Sequence, residues 1–533
     1  MRIKKLLTEK KIELSAFIVS IVCGIVILVV LNLPNSVGLA NNGDYPRAIY
    51  PSGVKFIDGI SYNFQVYVPK FQMALPANSN FIKNLYFVLQ SDYSRYDYIS
   101  SQEVVIKASK VLNLVFNRIT GRPAENYNLI WLGLVYTVMF CAAAYFILWF
   151  IYRRFGLPLF IASAIICLFV FCDQGYTLYY NSFYGEPLQF TGTMLTIALF
   201  LRLWEKRATA GIWSYIIYCA SVLLMAMSKN AYVPIGILFA LLPIVFMIID
   251  KTAKVEKTGI TAENLVVTRA SHPTKAAVIS VSAVSIVVML CYFFYMIPSW
   301  IEKDTNFNSV FAGVLDFGHT PEQDLKDLGL DPSLAVLKGR EMYQKNYPID
   351  ITSAQFQEQF YDKISKFKIM SFYLTHPSRF IDMLNYTAKY ARYIRPYYIG
   401  NLLNPPVLDP SKQSYQSNRF SIYETIRVHL PVNKLWFTIM VFIFSLALCI
   451  YELVVRRKKN AVLVSLILVL WGSAVFNFVT PYMGNGVPGI AKHMFGFIYF
   501  YDLLIFVLLG YAIIKIAHYV KLHAAHIKAQ ERK

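Results

Sequence analysis

Three observations predict an all-α polytopic membrane protein. The 533-residue chain is 56% hydrophobic with a mean hydropathy of +0.45, above the usual apolar share of a soluble domain. Apolar runs of about 20 residues, the length that crosses a hydrocarbon core as a helix, recur along most of it. The lysines and arginines behind the net charge of +20 bunch in alternate short connections, as retention on the cytoplasmic side requires. The charge therefore reports topology; the lipid bilayer is an expected partner and nucleic acid is not.

About ten spans are expected, at roughly 14–34, 129–151, 157–173, 187–203, 211–228, 231–250, 276–298, 434–455, 461–480 and 494–516. The first follows Arg2, Lys4, Lys5, Lys10 and Lys11. It is longer than a signal-peptide core and lacks a small-residue cleavage site, so it reads as a retained anchor. With the N-terminus inside, the inner connections carry Arg153-Arg154, then Arg202, Lys206 and Arg207, then Lys251, Lys254, Lys257, Arg269 and Lys275, then Arg456-Arg457-Lys458-Lys459. Lys515, Lys521, Lys528, Arg532 and Lys533 follow in the tail. Both termini are thus expected in the cytoplasm, with the chain multi-pass in the cytoplasmic membrane. Trp131, Trp149, Trp204, Trp213, Trp300 and Trp436 fall near span ends, where amphipathic rings favour the headgroup level.

The whole of 1–533 reads as one membrane-embedded unit with two long, partly helical extracytoplasmic segments, 35–128 and 299–433. In the first, Ser101-Gln102-Glu103 precedes Val104, Val105, Ala108, Val111, Leu112, Val115 and Phe116, and Gly121 supplies a stop. That is an amphipathic helix suited to lying on the bilayer. The second has helical patterns at Phe356, Phe360, Ile364 and Phe367, then at Phe380, Ile381, Leu384 and Ala388. All seven cysteines fall in or beside apolar segments without CxxC or Cys/His spacing, so neither a disulfide framework nor a thiolate metal site is indicated.

The candidate site residues lie in the outer connections. Asn41-Asn42-Gly43-Asp44-Tyr45-Pro46-Arg47 opens the first long segment. Asp44 is either a helix start ahead of Pro46 or a general base or metal ligand that activates an acceptor hydroxyl, with Arg47 beside it. The turn from Asp173 to Pro187 sets Asp173 and Glu186 at a span boundary around aromatics that include Tyr184. Acids there mark a polar cavity or cap a helix. Lys229 and Lys492 are the lysines that topology least expects, each in a short outer turn. They snorkel to the headgroups or bind a phosphate. His493 follows Lys492, after the glycine-rich Gly484-Asn485-Gly486-Val487-Pro488-Gly489, weak evidence for a phosphate cradle. Arg392 and Arg395 precede Pro396-Tyr397-Tyr398 and are candidates for phosphate, aromatic stacking or local acids. His376 precedes Pro377 as a ligand or a cap. No Walker loop, Rossmann fingerprint, nucleophile elbow or HExxH is present, so a nucleotide-free donor activated on a lipid phosphate is the natural fuel.

Together, Asn42-Gly43-Asp44, Asn181-Ser182-Phe183-Tyr184-Gly185-Glu186-Pro187, His376-Pro377, Ile394-Arg395-Pro396, Gly400-Asn401 and Lys492-His493 resemble the C-type (GT-C) membrane glycosyltransferases, in particular bacterial members that decorate cell-surface polymers. The resemblance implies a GT-C-like bundle and inverting transfer of a sugar from a polyprenyl phosphate to a cell-envelope glycan or polymer outside the cytoplasmic membrane. Asp44 would deprotonate or orient the acceptor, and Glu186 or Asp173 would hold acceptor or metal. Lys229, Arg395, Lys492 and His493 would neutralise the departing phosphate. A donor-synthesising glycosyltransferase and a flippase are the implied partners. The chain departs from members with an acidic pair in the first loop, since Asp44 stands alone with Asp58 some distance on; this leaves a divalent cation (Mg or Mn) open. Two other readings are a transporter or flippase of a lipid-linked glycan, which predicts ionisable residues within spans and an internal repeat, and a glycan polymerase or ligase. The acids sit at span ends and the halves do not align, against the transporter. In the enzyme, Asp44, Glu186, Lys229, Arg395 and Lys492 should converge on one outward cavity open sideways to lipid.

Overall fold

The computed structural model describes residues 2–34, 37, 43–57, 71–207, 209–247, 249, 262–318, 320–396, 398–400, 417–455 and 460–530. Of the residues singled out above, Asn41, Asn42, Asp58, Lys251, Lys254, Lys257, Tyr397, Asn401, Arg456, Arg457, Lys458, Lys459, Arg532 and Lys533 lie outside the described residues. So do the side chains of Arg2, Lys4, Lys5, Arg269, Lys275, Lys521 and Lys528.

Among the described residues each of the ten expected spans is largely helical, and the protein is an all-α polytopic membrane protein. Among the described residues, seven helices are long and apolar enough to cross a membrane: Glu9–Asn32, Ile130–Phe155, Asn230–Met247, Ala276–Tyr295, Leu435–Val454, Ala461–Asn485 and Ile490–Ala517. The other three explain why the count is only approximate. Leu157–Phe171 and Gln174–Asn181 form a pair bent by 58°. Ile212–Ala226 has 15 residues. Glu186–Glu205 is long enough but carries Gln189, Thr191, Thr193 and Thr196, all buried. A helix enclosed by other helices need not be apolar all round, because its polar side chains bond within the protein; the hydroxyls of Thr191, Thr193 and Thr196 each return to a carbonyl four residues back.

The elements that frame the site are α1 (Arg2–Asn32), α2 (Tyr45–Ile49), α3 (Phe81–Leu89), α4 (Gln102–Thr120), α5 (Ile130–Phe155), α6 (Leu157–Ile166), α7 (Gln174–Thr177), α8 (Glu186–Glu205), α9 (Ile212–Ala226) and α10 (Val233–Leu241). α5 packs against both α1 and α8, and α8 against α9. The N-terminus of α8 and the C-terminal ends of α1 and α9 therefore reach the same end of the bundle as α2.

The first long segment contains the anticipated amphipathic helix, α4, which stops at Gly121 with φ +68°, a left-handed position that glycine occupies without a Cβ penalty. Its distribution of residues is less simple than its pattern. Gln102, Lys110, Asn113 and Asn117 turn inward, while Val104, Leu112, Val115 and Ile119 are exposed. The inward polar groups are bonded: Asn113 and Asn117 both donate to the Asn126 carbonyl at 2.7 Å. A small antiparallel sheet was not legible in the sequence. Strands β1 (Val54–Phe56), β2 (Phe71–Met73) and β3 (Asn126–Tyr127) lie in the order β1-β2-β3. Strands of two or three residues are too short to show alternation, yet they join the two ends of the segment and pin α2 to the bundle.

Candidate functional site

Asp44 immediately precedes α2, and Pro46 fits its first turn, but the Asp44 carboxylate makes no side-chain cap hydrogen bond. It accepts instead from Lys492 Nζ and pairs with Arg47 at 3.1 Å. Arg47 lies over the ring of buried Tyr98, 5.2 Å from its centre, and Lys492 lies 5.1 Å from the centre of the Tyr184 ring. Tyr184 in turn meets Tyr45 edge to face at 4.9 Å. Glu186 opens α8 behind Gly185 and is 1% exposed. Its Oε1 accepts from Lys229 at 2.5 Å, and its buried Oε2 has no partner among the described residues.

These pairs form one electrostatic group. Lys229 acts on Asp44 along with Arg47 and Lys492, and Glu186 acts on both Arg47 and Lys492. Burial pushes the Asp44 carboxyl up, but the three cations outweigh it and hold the group well below the usual carboxylate range. Burial lowers Arg47 while Asp44 raises it, and the net shift is upward.

Three cations thus face two carboxylates, so the group has excess positive charge and suits an anion with several acceptor oxygens, such as a phosphate. It does not fit a divalent cation: each carboxylate already has an ammonium partner, and a further double charge would meet Arg47, Lys229 and Lys492. Among the described residues no group of three or more His, Cys, Asp or Glu could hold a metal ion.

The loops carrying this group are held by residues that sequence reasoning did not single out for the site. Gln102 donates to the carbonyls of Phe183 and Tyr184, both at 2.8 Å. Ser100 donates to Ser228 O at 3.0 Å and Ser101 to Leu224 O at 2.6 Å. The N-terminus of α4 therefore clips the Glu186 and Lys229 loops together. Below them, Phe71 of β2 meets Phe183 at 5.0 Å. The visible signal was the polar Ser100-Ser101-Gln102 run at a helix start, which reads only as a cap.

Lys492 sits in a turn, Ile490–His493, that begins at Gly489 with φ +66°. The preceding Gly486 is required by close approach: a Cβ there would lie 2.5 Å from the Ala312 carbonyl oxygen. Val487 N also donates to that oxygen at 2.9 Å. This turn docks on neighbouring backbone and thereby aims Lys492. His493 is in the same turn, and the charges of Lys492, Lys229, Asp44 and Arg47 act on it.

Four further candidates are placed elsewhere. Asp173 accepts from Gly175 N at 2.8 Å through Oδ1, and from Tyr423 N at 2.8 Å and Glu424 N at 3.3 Å through Oδ2. It caps α7 and ties it to the helix Ile422–His429, so the capping alternative is the one seen. Arg395 takes Glu424 as its ion-pair partner, and it and Glu186 both act on the buried Tyr179 between them. It is 4% exposed, grips Glu424 through two bonds of 2.8 and 2.9 Å, and donates to the carbonyls of Ile399 and Ser417. An arginine fork matched to a carboxylate is already satisfied. Arg392 lies over Tyr393 at 5.5 Å and has a buried Nε without a partner among the described residues. His376 stacks on Phe372 at 4.2 Å and contacts Asp327 at 3.2 Å.

The expectation that acids sit only at span ends is corrected by Asp502. It lies within the last span and is fully buried against Arg427. Asp502 also accepts from Tyr176 at 2.5 Å and Tyr423 at 2.8 Å, and Arg427 donates to the Ala391 carbonyl at 3.1 and 3.0 Å. An acid inside an apolar run was the signal that could have found it.

Fold and site together define a multi-pass α-helical membrane protein with a partly buried, cation-rich charge cluster at one end of its bundle. The family described as the YfdI N-terminal transmembrane domain matches residues 1–532, and the chain belongs to that family. No curated protein and no solved structure matches it.

Proposed function

We propose that the chain is a polyprenyl-phosphate-dependent glycosyltransferase of the hexosyltransferase type, which moves a sugar to a cell-envelope glycan or polymer on the outer face of the cytoplasmic membrane. The observation that carries this reading is the meeting of Asp44 and Glu186 with Arg47, Lys229 and Lys492 in one partly enclosed group.

The donor phosphate replaces Asp44 as counter-ion of Lys492 and Arg47, with Lys229 alongside. The acceptor hydroxyl oxygen then forms a bond to the sugar's anomeric carbon as the bond from that carbon to the phosphate oxygen breaks. The electron pair leaves on the phosphate, where the fixed cations stabilise it in a site poor in water. The hydroxyl proton passes to Asp44, freed from its cations, while Glu186 orients the acceptor through its unpaired oxygen. One displacement inverts the anomeric centre.

The transporter reading draws on Asp502 within a span. That residue is fully bonded to Arg427, Tyr176 and Tyr423, as a structural tie would be. A polymerase or ligase would use the same geometry on larger substrates and differs in product size. The test is transfer from a polyprenyl-phosphate hexose by the purified protein in nanodiscs, together with mass analysis of lipid-linked sugars and surface polymers in cells with and without the gene. Asp44→Asn should leave the protein in the membrane and abolish transfer. Full activity in that variant removes Asp44 from the mechanism.

A further inference from the structure

Beside the charge cluster lies a surface of different chemistry. A cleft of about 550 Å³ is lined by Tyr343, Tyr347, Ile349, Asp350 and Thr352, among others, and its lining contains no lysine or arginine. Tyr343 is 76% exposed, yet its ring is held: its hydroxyl donates to Asp304, and its backbone has φ +71°, a strained left-handed conformation for an aromatic residue. The loop behind it is fixed as well. Met342 N donates to Asn308 at 2.7 Å, and the Tyr347 hydroxyl donates to Glu341 O at 2.8 Å while accepting from Gln344 N at 3.0 Å. An exposed aromatic ring kept rigid at the cost of backbone strain is a surface built to be touched.

This cleft lies within electrostatic reach of Arg47. The positive charge of Arg47 acts on the Tyr343 hydroxyl, and the Tyr96 hydroxyl lies nearby. Tyr96 stacks on Tyr50 at 5.8 Å with the planes 10° apart, and Tyr50 directly follows α2, the helix that begins beside Asp44. The two long segments are also joined here, since Trp300 Nε1 donates to Asp97 at 3.1 Å. Tyr343 and the Tyr96–Tyr50 pair thus lie on the Arg47 side of the charge cluster.

We propose that this cleft binds the acceptor as a neutral oligosaccharide, with sugar rings laid on Tyr343 and Tyr96; the Tyr50 ring, stacked on Tyr96 and covered by Arg95 at 5.0 Å, backs the platform. The sugar hydroxyls are received by the carboxylates of Asp304 and Asp350. The identification of the saccharide as acceptor rests on the glycosyltransferase reading; the binding does not. Rigid tyrosines offer an apolar face to the C–H side of a sugar ring at little entropic cost. The charges favour a different substrate here: the cleft lining carries Asp350 and no cation, whereas a phosphate finds Arg47, Lys229 and Lys492 together. The site is thereby divided into an anionic donor half and a neutral acceptor half that meet at Arg47.

Full-length protein in nanodiscs should show saturation-transfer NMR signals with a panel of neutral hexose tri- to hexasaccharides. Tyr343→Ala should weaken that binding about tenfold, as expected for one lost aromatic platform, while Tyr343→Phe should keep most of it. Undecaprenyl phosphate binding should be unchanged in Tyr343→Ala and lost in Lys492→Gln. Absence of binding across the panel, or equal binding by wild type and Tyr343→Ala, overturns the cleft assignment and leaves the donor site standing. If oligosaccharide binding behaves as expected but Lys492→Gln binds undecaprenyl phosphate as well as wild type, the cleft stands and the phosphate role of the cluster fails.

Discussion

Lys492 is the ion-pair partner of Asp44 although 448 positions of sequence separate them. Lys492 is 2% exposed, so its charge is tolerable there only because Asp44 answers it and the Tyr184 ring lies against it. Removing either partner leaves the other buried without compensation, which is costly. The same geometry that makes the pair structurally demanding makes it responsive to an incoming anion.

Lys492→Gln should lower the rate of sugar transfer by about 10²- to 10³-fold, the usual consequence of deleting one preorganised electrostatic contact to a leaving group. The measurement is single-turnover transfer in nanodiscs, with membrane insertion checked in parallel. A loss within about twofold, comparable to a surface substitution, would take Lys492 out of the chemistry.

Lys110 predicts a pH dependence of stability. It is buried on α4 and donates to the carbonyls of Ser52 and Val88, without a carboxylate of its own. Burial lowers it to about 7, with Lys107 adding to the shift and Glu103 opposing it. Its folded value is below the unfolded one, near 10.4. The unfolded chain therefore holds the proton over that interval while the folded chain has lost it, and this group's contribution to stability rises from about pH 7 to pH 10. Thermal unfolding across that range should show the rise. Lys110→Met should flatten it while lowering stability overall, because the two carbonyls lose their donor; an unaltered profile would contradict the assignment.

Arg427 and Asp502 are both fully buried and completely bonded. Arg427→Met alone should destabilise by about 3–5 kcal/mol, because it leaves an unpaired buried carboxylate. Arg427→Met with Asp502→Leu should cost less than the sum of the two single changes. Denaturant unfolding in detergent measures both; strict additivity would mean that the two residues do not act as a pair.

Arg395 separates structural from functional arginine. Because it is committed to Glu424 and two carbonyls, Arg395→Gln should reduce thermal stability yet leave undecaprenyl phosphate affinity within about twofold, since its donors are already taken. A phosphate-selective loss with normal stability would return Arg395 to the site.

The sequence by itself determined the membrane class, the helical segments and the short polar turns between them, since runs of about 20 apolar residues and flanking cations leave few alternatives in a bilayer. It also singled out Asp44, Arg47, Tyr184, Glu186, Lys229 and Lys492, because charges beside apolar runs are few and conspicuous. Only the tertiary structure decided which of the conspicuous charges meet. Asp173 and Arg395 looked equivalent to Glu186 and Lys492 along the chain, but the bend after α6 turns Asp173 onto backbone amides, and the helix Ile422–His429 brings Glu424 to Arg395. Ion pairing depends on distance through space, and hydropathy along the chain carries no record of it. The same reason hid the pairing of Asp502: the acid stands out inside an apolar run, but its partner lies 75 residues away and only the fold brings Arg427 to it.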